Sequence, residues 1–192
     1  MSVSMFNSSP LFSMNALGMT WKSSTEQIVS VERCTRESKV TVTVEDAPRR
    51  AFKLNTSINF LNHMLETIAW RACLNIDASY ENSQFRLTHV IAEDVGIVLG
   101  MAFAKLIELR SGNGVNGAGS GILGMDEALA MVSVSFEGRS TATLNLTGAP
   151  GTNVVQVEDA LGADMAEFFR GFVQGARATV NIQALSGVDP HH

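Results

Sequence analysis

The amino-acid sequence predicts an α+β protein built from two similar halves. Segments that alternate apolar and polar residues, as half-buried strands do, are interspersed with segments whose apolar residues recur at helical spacing. The stretch WRACLNI (70–76) follows one predicted helix and is echoed as ARATVNI (176–182) after another. A shared sequence at a shared place after a helix indicates an internal duplication, with chance similarity of one short segment as the alternative.

Composition excludes several classes of protein. Of the 192 residues, 45% are hydrophobic and 17% are charged, which is sufficient for a packed core. The net charge of −5 argues against a nucleic-acid-binding surface. No apolar run reaches the roughly 18 residues that span a membrane, because Lys105 interrupts the longest one. The two cysteines, Cys34 and Cys73, are too few for a disulfide framework; we expect buried thiols in a reducing, cytoplasmic setting.

The first half of the chain is predicted to begin with a loosely ordered extension over residues 1–30, with one short packed segment at 11–17. This extension lacks the basic start and continuous apolar stretch of a secretory signal. Alternating valines predict a strand over 38–46. A helix over 58–72 is expected to begin behind the capping residues Thr56 and Ser57.

Two strands and a second helix follow. The sequence predicts strands over 73–80 and 83–87 and a helix over 88–109. Residues 110–124 contain six glycines and are predicted to form a long loop rather than a regular element.

The second half repeats the pattern. Residues 125–136 and 139–146 alternate apolar and polar side chains and are predicted to be strands paired with each other. A helix over 161–178 and a last strand over 179–185 complete the chain's regular elements.

The four histidines are candidates for metal binding. His63 lies inside the first predicted helix, His89 opens the second, and His191 and His192 close the chain. His89 and Glu93 are four residues apart and project from one side of a helix, where they could bind one cation together. Imidazole with carboxylate suits manganese, zinc or iron. A surface pair without metal has the same spacing and is the alternative interpretation.

Six short motifs in a fixed order identify a family resemblance. They are RCTRES (33–38), TSINFLNHML (56–65), HVIAEDVGIVLG (89–100), GMDEAL (124–129), EGR (137–139) and GVDPHH (187–192). Through these motifs, residues 32–192 resemble the imidazoleglycerol-phosphate dehydratase family, the dehydrating lyases of histidine biosynthesis.

The resemblance implies a fold and an assembly. Each half-domain is expected to be a four-stranded sheet backed by two helices, as in the ribosomal protein S5 domain 2-like fold. The expected divisions are the extension (1–30), a first half-domain (31–110), a glycine-rich loop (111–124) and a second half-domain (125–192). The second half-domain is expected to be incomplete, because the family continues with a lysine-bearing helix. Large homo-oligomers with small-molecule sites between subunits are also implied, without nucleic-acid or membrane partners.

The resemblance also implies a two-manganese site. The positions that match the family's ligands are His63, His89, Glu93, His191 and His192. Arg33 and Arg139 are the expected substrate-binding residues. Glu37 is the leading acid/base candidate, with a surface acid on a strand edge as the alternative.

Several ligand positions of the family carry other residues here. Val90 and Asn181 replace histidines, as does Arg71, while Asn62 replaces an aspartate and Gly117 an arginine. A site with these losses is expected to bind a single divalent transition metal, or none. Three hypotheses follow: a diverged metal-dependent lyase with another substrate, a non-catalytic scaffold or binding protein, and an authentic dehydratase with unusual ligands.

Overall fold

The computed structural model describes residues 18–82, 85–146 and 156–192 and confirms the α+β fold. Three helices pack with two main sheets and a small two-stranded sheet. The helices are α1 (Asn59–Ala72), α2 (Thr88–Arg110) and α3 (Gly162–Ala176). The strands are β1 (Met19–Ser24), β2 (Ile28–Cys34), β3 (Ser38–Glu45), β4 (Leu54–Asn55), β5 (Asn75–Asn82), β6 (Ala118–Met125), β7 (Ala128–Ser135), β8 (Thr141–Asn145), β9 (Gln156–Val157), β10 (Ala160–Leu161) and β11 (Thr179–Ser186).

The two main sheets share one topology. The first has the order β1-β2-β3-β5-β4 and the second has the order β6-β7-β11-β8. In each sheet the strand that follows a helix, β5 or β11, pairs antiparallel on one side and parallel on the other. The second sheet therefore repeats the β2-β3-β5-β4 part of the first, as the echoed sequence predicts.

The core lies between the helices and the first sheet. Alternation in β3 buries Val40, Val42 and Val44 completely. The same core includes residues of all three helices, among them Leu65, Val95 and Phe168.

Parts of the regular structure differ from the sequence prediction. The segment predicted to be loosely ordered contains β1 and the start of β2, because β1 pairs antiparallel with β2 along its length. The short packed segment at 11–17 lies outside the described residues. The glycine-rich loop contains β6, whose backbone pairs with β7 and needs no side chains to do so.

Two strand predictions were also wrong in their pairing or extent. Residues 139–146 contain β8, but it pairs with β11 rather than with β7, since β11 lies between them. Residues 85–87 carry no regular structure and lead directly into α2, while 83–84 lie outside the described residues.

Both cysteines are exposed, contrary to the prediction of buried thiols. Cys34 ends β2, and Cys73 lies after the last turn of α1 in the left-handed conformation. No helix among the described residues has the length and hydropathy needed to cross a lipid bilayer.

Four glycines allow α2 and α3 to pack in direct backbone contact. A side chain at any of these positions would collide with a carbonyl oxygen of the other helix. The distances from a Cβ atom to that oxygen would be 2.2 Å at Gly96 (Phe168), 2.2 Å at Gly100 (Phe172), 2.3 Å at Gly171 (Glu93) and 1.9 Å at Gly175 (Ile97). From Gly96 to Gly100 the contacted residue moves from Phe168 to Phe172, four residues in the same direction along the chain. The two helices therefore run parallel.

The cap of α1 comes from the other half of the chain. The carboxylate of Asp159 accepts hydrogen bonds from the backbone N–H groups of Asn59 (2.7 Å) and Phe60 (2.8 Å). The prediction that Thr56 and Ser57 cap the helix was wrong, because Ile58 is the residue at the N-cap position. The single proton of the Thr56 hydroxyl is directed instead to Oδ1 of Asn62 (2.8 Å) or to the Ile58 carbonyl (3.1 Å). Asp159 thus joins the small β9–β10 hairpin to the helix that carries His63.

We predict that Gly175→Ala destabilises the protein by about 3 kcal/mol, because the new Cβ atom cannot be accommodated without separating the helices. Denaturant unfolding measures the difference. Gly112→Ala is the matched control, because a Cβ atom there meets nothing within 4 Å, and it should stay within about 0.5 kcal/mol of the parent. Equal midpoints for the two variants would contradict the close packing.

We predict that Asp159→Ala costs about 1 kcal/mol of stability at neutral pH, and Asp159→Asn less, because asparagine keeps one acceptor oxygen. Burial raises the pKa of Asp159, but the N–H groups of Phe60 and Asn59 outweigh burial and the pKa is lowered. A lowered pKa stabilises the fold above the unfolded value of 3.8 and stops doing so as pH falls through the folded value. Unfolding experiments should therefore show the deficit of the alanine variant shrinking below about pH 4. If the loss of stability in Asp159→Ala were independent of pH, the charge of Asp159 would not contribute to the cap.

Candidate functional site

Three of the predicted metal ligands meet at one place. The ring centroids of His63 and His191 are 5.7 Å apart, and those of His191 and His192 are 6.2 Å apart. Phe60 packs edge-on against His191 at 5.6 Å. The helix α1 and the segment after β11 are distant in sequence, so the tertiary fold brings these imidazoles together.

The tight turn between β6 and β7 holds the segment that carries the terminal histidines. The Glu127 carboxylate accepts hydrogen bonds from the N–H groups of Val188 (3.2 Å) and Asp189 (2.9 Å). Its other oxygen lies 2.9 Å from Nδ1 of His192. The Asp189 N–H, and next the His192 ring, lower the pKa of Glu127 to about 2. The same contact raises the pKa of His192.

A second acidic turn approaches the neighbouring histidine. Glu158 lies between β9 and β10 in the left-handed conformation (φ 50°), and its Oε1 is 3.3 Å from Nδ1 of His191. The next residue, Asp159, caps α1. The β9–β10 turn therefore contacts both the helix of His63 and the ring of His191.

His89 and Glu93 form a separate pair on α2. His89 is exposed and Glu93 is half-buried, and within the described parts of the chain neither side chain forms a hydrogen bond or an ion pair. Between them, the half-buried Val90 contributes only a hydrocarbon side chain. The two sets of predicted ligands thus occupy different elements of one chain.

A buried carboxylate joins two of the sequence motifs. Asp94 of α2 accepts hydrogen bonds from Arg33 of β2 and from the hydroxyl of Ser38 at the start of β3. Burial raises the pKa of Tyr80, with further contributions from the charges of Asp94 and Glu37. The guanidinium of Arg33 is therefore engaged in fastening α2 to the first sheet, and Glu37 lies exposed close to this network.

The remaining predicted positions lie on the second half. Arg139 is exposed in the β7–β8 connection, directly after Gly138 (φ 86°). Asn181, where the family resemblance expects a histidine, projects from β11 into a shallow depression lined by Ser120, Ser133 and Thr179. An amide among hydroxyl groups is a weaker metal donor than an imidazole.

The imidazole and carboxylate donors named above suit a divalent transition metal by type. Across residues 18–82, 85–146 and 156–192, no group of three or more His, Cys, Asp or Glu side chains is arranged to hold a metal ion.

Sequence reasoning missed Glu127 and Glu158 as residues that contact the terminal histidines. Glu127 belongs to the GMDEAL motif, so its place in a motif was the available signal. Glu158 lies in no recognised motif.

Comparison with known proteins agrees with the resemblance. Residues 56–192 match the family model of imidazoleglycerol-phosphate dehydratase (IGPD). Two relatives bear that name. The protein from Methylococcus capsulatus is 35% identical over 162 residues, covering 84% of this chain and 79% of the relative. That from Caldicellulosiruptor bescii is 31% identical over 167 residues, covering 87% and 83%.

Two solved structures show the same likeness. A crystal structure of IGPD from Pyrococcus furiosus has a TM-score of 0.65 at 28% identity and covers 84% of this chain and 82% of its own. A crystal structure of imidazoleglycerol-phosphate dehydratase from Staphylococcus aureus has a TM-score of 0.68 at 26% identity, covering 86% and 88%.

Proposed function

The chain belongs to the imidazoleglycerol-phosphate dehydratase family, and we propose that it is a diverged member that binds at most one divalent metal ion per chain. The observation that carries this proposal is Val90. It follows His89 in α2, at a position where the family resemblance expects a second histidine, and its side chain has no lone pair to donate. We infer that the family's dehydration has been lost and that another small molecule is bound.

The remaining ligands favour a single ion over two. Each lost donor lowers affinity for a transition metal, and Asn181 offers only an amide in place of an imidazole. His63, His191 and His192 would supply the imidazole donors, and His89 and Glu93 of a second copy would supplement them. Manganese is the expected ion, with another divalent transition metal as the alternative. When bound, such an ion would act as a Lewis acid toward the ligand.

Three residues of the chain would then transfer a proton, bind an anionic group and support the position of α2. Glu37 is exposed and close to the Arg33–Asp94 network, where its carboxylate could transfer a proton. Arg139 is exposed and could bind an anionic group. Arg33 is engaged with Asp94, so in this arrangement it supports the position of α2 beside the small-molecule ligand.

The main alternative is a non-catalytic scaffold. The Arg33–Asp94–Ser38 network and the contacts of Glu127 hold secondary elements together without any ligand. These internal contacts therefore give a structural reason for residues in four of the six family motifs. An authentic dehydratase is the other alternative, since relatives 31–35% identical bear that name.

We also propose that the chain forms homo-oligomers. The β6–β7 hairpin exposes apolar side chains on both faces: Ile122 is 65% exposed and Leu123 is 52% exposed, and neighbours along a strand point to opposite sides. Such a surface is typical of an interface. The paired Met131, also exposed, extends the patch that a second copy would cover. A cytoplasmic location fits two exposed, unpaired thiols, and the net charge of −5 fits a role without nucleic acid.

We predict that protein stripped with a chelator and titrated with Mn²⁺ binds no more than one ion per chain. The double variant Val90→His, Asn181→His should raise this number towards two, because it restores two imidazole donors. Isothermal titration calorimetry and elemental analysis measure the stoichiometry. Val90→Ala is the matched control, since it alters the side chain without adding a lone pair.

The outcomes separate the three functions. Two ions per parent chain, together with formation of imidazole acetol phosphate from imidazoleglycerol phosphate, would contradict divergence and identify an authentic dehydratase. Absence of bound metal in both the parent and the double variant would favour the scaffold. One ion without turnover is the expected result.

We predict that Ile122→Asp lowers the oligomer mass measured by light scattering, because a carboxylate would be desolvated in the apolar interface. The fold should persist, since Ile122 is largely exposed in the single chain. Trp70→Gln, which alters an apolar residue 54% exposed at the end of α1, serves as the control and should leave the mass unchanged. A parent protein that is monomeric at all concentrations would overturn this proposal.

A further inference from the structure

The β6–β7 turn is built to hold Glu127 in a fixed place. Met125 pairs with Ala128 across a two-residue turn formed by Asp126 and Glu127. Asp126 adopts the left-handed conformation (φ 49°), as the first residue of a tight hairpin turn does. Glu127 therefore projects from the rigid end of a hairpin rather than from a long loop.

Glu127 contacts the last residue of β11 and the segment after it at four points. The Ser186 hydroxyl donates to its backbone carbonyl (3.0 Å), and the N–H groups of Val188 and Asp189 donate to Oε1. The fourth contact joins Oε2 to Nδ1 of His192. Gly187 (φ 147°) lets the segment pass close to Ala128, where a Cβ atom would lie 3.3 Å from the alanine side chain. The carboxylate thus fixes both the segment and the ring.

This contact also decides which nitrogen of His192 carries a lone pair. An ionised carboxylate can only accept hydrogen bonds, so the neutral ring must present an N–H at Nδ1. The lone pair is then left at Nε2. Among the described residues no hydrogen bond reaches Nε2 of His192, and the Asp126 carboxylate 3.6 Å away has no proton to donate, so this lone pair of the neutral ring is not engaged there.

We propose that Glu127 is a positioning residue that holds His192 as the Nδ1–H tautomer, with Nε2 free to bind a divalent metal ion. The metal part of this inference rests on the proposed function; the tautomer part does not. Carboxylates that hold metal-binding histidines commonly contribute tenfold to a hundredfold in affinity. Glu158 makes a longer contact to His191, 3.3 Å against 2.9 Å, so we assign the main effect to Glu127.

The test replaces one acceptor oxygen of the Glu127 carboxylate by an NH₂ group, which donates hydrogen bonds. In Glu127→Gln, the amide oxygen can keep the bonds from Val188 and Asp189, while the NH₂ group faces Nδ1 and favours the Nε2–H tautomer. Nitrogen-15 NMR of the full chain at about pH 9, where a histidine ring is neutral, reads the tautomer directly. Titration with Mn²⁺ alone reads the affinity. Glu108→Gln on α2, a surface carboxylate paired with Lys105, is the matched control.

We expect the Nδ1–H tautomer in the parent and the control, the Nε2–H tautomer in Glu127→Gln, and a loss of Mn²⁺ affinity of about tenfold or more in that variant. An Nε2–H ring in the parent, or an unchanged tautomer in the variant, would overturn the inference. The N–H resonances of Val188 and Asp189 show whether the segment stays in place. If the parent binds no Mn²⁺, the proposed metal function fails, yet the tautomer comparison still decides whether Glu127 positions His192.

Discussion

The contact between α2 and α3 is the constraint on which the rest of the structure depends. Glycines one turn apart on each helix leave no Cβ atom at four points of the crossing, so the two backbones come into direct contact there. Glycine in a helix costs about 1 kcal/mol relative to alanine, and the packing must offset that cost four times. Because α2 belongs to the first half and α3 to the second, this contact sets the position of one half against the other.

The contact between α2 and α3 helps to position the residues of the candidate site. The backbone carbonyl of Glu93 faces Gly171 of α3, so the turn of α2 that carries Glu93 is held against the second half. On the other side, Asp159 binds the start of α1 and Glu127 binds the terminal segment. The terminal histidines of the cluster are therefore held by acidic turns, while His89 and Glu93 lie on α2.

Val90 and Asn181, which stand where the family resemblance expects histidines, are both compatible with the fold. Val90 leaves the helix intact, since it is half-buried and suits the apolar surroundings of α2. Asn181 leaves β11 intact, since its side chain faces a polar depression. Neither change disturbs the fold, so the sequence could lose donors while keeping its architecture. Fold and function are separable in this way because chemistry depends on a few side chains and the core on many.

Local patterns were sufficient for some elements and insufficient for others. The valines of β3 and the apolar periodicity of α2 are properties of neighbouring residues, so they could be predicted. The strand β6 was missed because its glycines carry no side-chain pattern; only pairing with β7 makes it a strand. The partner of β8 was missed because β11, which separates it from β7, comes more than 30 residues later in the chain.

The sequence by itself determined the family, the duplication and the candidate site positions, because each of these depends on residue identity and spacing. Only the tertiary structure decided which ligands meet and what holds them. Glu127 and His192 are 65 residues apart, and Asp159 and Phe60 are 99 apart. The contact between Asp159 and Phe60 depends on how the two halves pack, and the contact between Glu127 and His192 depends on the pairing of β7 with β11. Neither this pairing nor the packing of α2 on α3 is a property of any local segment.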